Sequence, residues 1–152
     1  MFCLNKKHLS NTFILFLLGL YLFAATGCTV KLISNYDEIT DKSVSDLQKK
    51  VERFFLTLES QEGLPECSFD NHSEFYKEAK VSVSAIEVRA LAVPDNDITI
   101  KQIALLKENI EMLEQLHKIS CLTREQIEPL RINFNSGFTA ILKLELAKKR
   151  GD

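Results

Sequence analysis

The chain has 152 residues, 45% of them hydrophobic and 26% charged, which suffices for one domain with an ordinary core and argues against disorder beyond the termini. Its formal charge is −2, and its longest basic run is Lys148-Lys149-Arg150, so nucleic acid is not an expected partner.

The chain opens with two cations, Lys6 and Lys7, and no acid before Cys28. Thr12 to Thr26 carries no charge, and small residues follow at Ala24, Ala25 and Gly27. A charged start, a short apolar run and small residues at a cut are the three parts of an export signal. The uncharged tract, about 15 residues, is short against the roughly 20 that span a bilayer, so a cleaved signal is preferred over a transmembrane anchor.

Ala25-Thr26-Gly27-Cys28 resembles the lipobox of bacterial lipoproteins, with Ala25 where that class prefers Leu. The resemblance covers the first 28 residues. It implies that 1–27 are removed, that Cys28 is acylated, and that 28–35 form a lipidated tether. Thr29 stands where an inner-membrane retention signal of the class has Asp, which implies the outer membrane of a Gram-negative envelope, on its periplasmic side. Without Lys6 and Lys7, the side-chain charge moves from −2 to −4.

Residues 36–150 read as helical. Val44, Leu47, Val51, Phe54, Phe55 and Leu58 step by three and four, one stripe of a 3.6-period helix that Gly63 and Pro65 end. Asp70, Asn71 or Ser73 can cap a second helix, with Phe75, Ala79, Val83, Ile86, Ala90 and Val93 as its stripe. The alternation Val81 to Ala85 would suit a strand, but the run exceeds 20 residues and strands seldom do. The polar strip of this helix is narrow, so it is expected to be the most enclosed. Pro94-Asp95-Asn96-Asp97 is a turn.

Thr99 and Gln102, flanked by Ile98 and Ile103, have the pattern of a capping box with a hydrophobic staple, placing a third helix start at Thr99. The same pattern recurs at Leu122-Thr123-Arg124-Glu125-Gln126-Ile127. Pro129 then suggests one isolated turn, with a long fourth helix restarting at the proline. Leu130, Phe134, Phe138, Ile141 and Leu142 form its apolar face, and the closing cations suit the helix dipole. Gly137 marks either a close helix contact or a local break.

Four such helices with short connections predict an all-α, up-down-up-down four-helix bundle. An even helix count places both termini at one end, the lipid-anchored end, and the loops holding Cys67 and Cys121 at the other. The mature part is also similar to a loose group of small helical bacterial lipoproteins, through Tyr36-Asp37-Glu38-Ile39-Thr40-Asp41 and Leu144-Glu145-Leu146-Ala147-Lys148-Lys149; that likeness implies no activity.

Candidate chemistry is sparse. No Gly-x-Ser-x-Gly elbow or other catalytic constellation is present, so no enzyme is expected. His117 and Asn109 fall on the apolar arc of the third helix, where a core-edge histidine and a hydrogen-bonded core asparagine are preferred over a functional role. Glu145 lies on the apolar side of the fourth helix and is assigned no function. Cys67, His72, His117 and Cys121 share the far end, where two Cys and two His could hold zinc. In an exported protein the two thiols are instead expected to pair with each other. No cofactor is expected: Met112 and His117 lie on one helix and cannot face each other across a haem, and Cys-x-x-Cys-His is absent. The expectation is a lipid-anchored protein that works by contact with an envelope protein; a small-ligand or metal-binding helical module is the alternative.

Overall fold

The computed structural model describes residues 34–151, all within one compact unit, Leu32–Asp152. The signal, Cys28 and most of the tether lie outside the described residues. Four helices carry the described chain: α1 Glu38–Ser60, α2 Phe69–Leu91, α3 Asp97–Ile119 and α4 Arg124–Gly151, with a 3₁₀ turn at Pro65–Cys67. Among the described residues there is no strand, and no helix is long and apolar enough to cross a membrane. α1 packs on α2 and α4, and α3 packs on the same two, which is the ring of an up-down-up-down bundle.

All six residues of the predicted α1 stripe are buried. The helix gives way at Ser60, and Gly63 turns the chain at φ +76°, where a side chain would be strained. α2 starts earlier than Asp70, with Ser68 at its cap position. Asn71 instead turns its amide back on the loop, donating from Nδ2 to the carbonyls of Pro65 at 3.3 Å and Glu66 at 3.2 Å.

α2 is not the most enclosed helix. Its buried residues are Tyr76, Ala79, Val83, Ile86 and Ala90, whereas Val81 is 69% exposed and Val88 and Leu91 stand exposed beside it. A corner helix meets only two neighbours, so its buried arc is narrow however apolar the remainder is.

Thr99 does not cap α3. The helix begins at Asp97 behind Asn96, which leaves Thr99 buried inside the first turn. Asn96 is fixed there because its Nδ2 donates to the Ala90 carbonyl at 2.9 Å, tying α3 to the end of α2. At α4 half of the capping box forms: the Thr123 amide donates to Gln126 Oε1 at 3.0 Å while the Gln126 amide bonds the Thr123 carbonyl at 3.0 Å, and Leu122 and Ile127 are buried as the staple.

The expected break before Pro129 does not occur, and the helix runs through it. Glu125, whose carbonyl would otherwise bond residue 129, is exposed, so water can take that carbonyl. Gly137 marks neither break nor contact. The helix is continuous there, and an added Cβ would meet nothing within 4 Å.

Candidate functional site

The far end of the bundle is a covalent clamp. Cys67 and Cys121 are joined as a disulfide, with Cα atoms 5.5 Å apart, bonding the loop after α1 to the loop after α3. The α1–α2 hairpin is thereby fixed to the α3–α4 hairpin.

His117 reinforces the clamp from α3. It is buried at 1% exposure, with Nε2 2.7 Å from the Cys67 carbonyl and Nδ1 2.8 Å from the Tyr76 hydroxyl. A carbonyl only accepts, so Nε2 carries the proton, and in the neutral ring Nδ1 accepts from Tyr76. Burial holds the His117 pKa below its ordinary value, against the pull of the Cys67 carbonyl, and His72 adds to the lowering. Burial likewise raises the Tyr76 phenol, with Glu114 adding to it. His117 therefore spans three elements as a neutral strut.

His72 lies close by, its ring centroid 5.7 Å from that of His117. Its Nε2 donates to Gln61 Oε1 at 2.8 Å and to the Glu66 carbonyl at 3.1 Å. The four residues considered for zinc are thus brought together, but not as a metal centre. The sulfurs bond each other, and both nitrogens of His117 have protein partners. Among the described residues, no group of three or more His, Cys, Asp or Glu is placed to hold a metal ion.

Beside the clamp, between α3 and α4, an open apolar groove of about 360 Å³ is lined by Leu116, Ile119, Leu122, Pro129 and Leu130, with Gln126 and Ser120 at its polar edge. Ile119 is 80% exposed, high for a branched aliphatic side chain. Asn109, expected in the core, is only half-buried farther along the same seam, where its Oδ1 accepts from Asn133 Nδ2 at 3.0 Å.

The near end, where Ser34 and Gly151 lie, holds a buried polar network. Lys148 donates to Glu145 Oε1 at 2.5 Å, Asn96 Oδ1 at 2.7 Å and Thr99 Oγ1 at 2.9 Å, using all three ammonium donors. Glu145 is fully buried and also accepts from the Asp37 amide at 3.2 Å. Asp37 holds Arg89 with two bonds of 2.9 Å and accepts from Thr40 Oγ1 at 2.6 Å. Arg89, assisted by Thr40 and opposed by partial burial, lowers the Asp37 pKa to about 2. Ser34, expected in the tether, is buried and donates to Asn96 Oδ1 at 2.9 Å.

Periodicity pointed to Glu145 but not to its partner. Lys148 reads as part of a basic tail, yet it follows Ile141 and Glu145 by seven and three residues, on the same helical face. No protein-family model, curated protein or solved structure matches this chain.

Proposed function

We propose that this chain is a lipid-anchored helical protein of a Gram-negative envelope, held at the periplasmic side of the outer membrane through Cys28, and that it works by contact with another envelope protein. The observation that carries the contact reading is the apolar groove between α3 and α4 with Ile119 exposed at its edge. The disulfide and His117 hold its surroundings fixed, and a preformed surface loses little freedom on binding. Supporting the anchor reading is the lipobox resemblance at Cys28. The bundle order leaves the groove at the end opposite Ser34, so an anchored chain would present it away from the lipid.

The test is site-specific photo-crosslinking in living cells, with a benzophenone residue replacing Ile119 or, as a control at the other end, Lys42. Ile119 is expected to give one discrete protein adduct, lost when Leu130→Asp places a charge in the groove. No adduct at Ile119, or the same adduct from Lys42, would remove the groove as the contact site.

A further inference from the structure

We infer that the near end of the bundle is a lipid-contacting face that seats on the membrane to which Cys28 anchors the chain; this rests on the anchor reading above. Every helix contributes exposed aliphatic side chains there: Ile39 from α1, Val88 and Leu91 from α2, Ile98 from α3 and Leu146 from α4, between 48% and 65% exposed. Pro94, in the turn between α2 and α3, is exposed among them. α1 and α3 start at this end, and helical side chains lean toward the N-terminus, so Ile39 and Ile98 lean off the end of the bundle, whereas Leu91 and Leu146, on helices that end here, lean back along its flanks. Single exposed aliphatics are ordinary; what distinguishes this end is that all four helices contribute them.

The length of chain before the bundle identifies what covers this face. Five residues, six Cα–Cα steps, separate Cys28 from Ser34, a reach of at most about 21 Å. The slack ends there, because Ser34 is bonded to Asn96, and Asp37 is held by Arg89 and Glu145. An acylated Cys28 therefore keeps this end close to the bilayer surface. Lys149 sits 5.0 Å over the Tyr36 ring, an aromatic–cation pair of the kind that settles at headgroup depth. The exposed cations Lys42, Lys101, Lys149 and Arg150 are offset by Glu38, Asp95, Asp97 and Asp46, the ion-pair partner of Lys42, so the contact depends on aliphatic insertion and not on anionic lipid.

The chain contains no Trp, so one introduced Trp is a clean reporter. Full-length protein carrying Leu91→Trp, Ile98→Trp or, as a control, Ile119→Trp is purified from membranes. Each is placed in phosphatidylethanolamine–phosphatidylglycerol vesicles with brominated acyl chains, and its intact mass is recorded. Trp at 91 and 98 should lose most of its emission, unchanged by high salt, while Trp at 119 keeps its own. Adding Ile39→Asp and Ile98→Asp should restore emission from Trp at 91, which separates insertion from mere proximity; circular dichroism checks that the helices remain.

Equal emission at all three positions in an acylated chain overturns the face and leaves the anchor intact. Trp at 98 shielded from acrylamide but untouched by bromine assigns the face to a protein and also overturns it. A mass without acyl groups overturns the anchor reading, and quenching of whatever chain binds the vesicles then decides the face alone.

Discussion

Replacing Lys148 with Met tests whether the near-end network is a coupled unit. The change keeps the apolar stem and removes the ammonium. Glu145, fully buried, would be left with one donor, the Asp37 amide at 3.2 Å. Asn96 and Thr99 would each lose a bond of under 3 Å. Breaking a buried pair by removing one partner costs about 3–5 kcal/mol, because the other charge stays buried without compensation. For a domain of this size that lowers the melting midpoint by roughly 10–20 °C. The double variant Glu145→Leu/Lys148→Met buries no charge. Its chief loss is the orphaned Asp37 amide, about 1–3 kcal/mol, so it should be more stable than Lys148→Met alone. Urea denaturation of the three proteins, followed by circular dichroism, measures the difference. A Lys148→Met protein within about 1 kcal/mol of the parent, or a double variant as unstable as the sum of both singles, would refute the reasoning.

Three further outcomes follow from the geometry. Cys67→Ala/Cys121→Ala should destabilise by about 4 kcal/mol on the chain-entropy argument for a separation of 54 residues, and two reactive thiols titrated in unreduced native protein would contradict the bridge. Because burial lowers the His117 pKa, the unfolded chain takes up that proton first. His117 therefore contributes fully above about pH 6.5, and stability falls as pH drops below it toward the lowered folded value. His117→Gln should flatten that slope in denaturation midpoints between about pH 7 and pH 5, and an unchanged slope would exclude His117 as its source. Gly137→Ala should raise stability by about 0.5–1 kcal/mol, since the position is helical and an added Cβ meets nothing; a lower midpoint would reveal a neighbour there.

The helices were legible where apolar spacing had no competitor. The α1 stripe from Val44 to Leu58 has one period and one face, and all of it is buried. The far-end clamp was legible through topology, because an even number of helices with short loops brings Cys67 and Cys121 to the same end. Position along the chain did not reveal partners. Thr99 fits a capping pattern, but Asn96 is pinned to the Ala90 carbonyl and starts the helix before it. Lys148 looks like a tail cation until Glu145 and Thr99 close around it. Phe75 carried the apolar signal on α2, whereas Tyr76 faces inward because its hydroxyl has His117 to bond. Thr99, Lys148 and Tyr76 are polar residues whose burial depends on groups far away in sequence, which periodicity within one helix does not register.

The proposed anchor requires that the chain be cut before Cys28 and that Cys28 carry acyl groups. Intact-mass measurement of protein extracted from envelopes without reductant addresses this directly. The result predicted is a chain starting at Cys28, heavier by its acyl groups, with Cys67 and Cys121 still joined. A mass that includes Met1, or a Cys28 terminus bearing no acyl group, would contradict it.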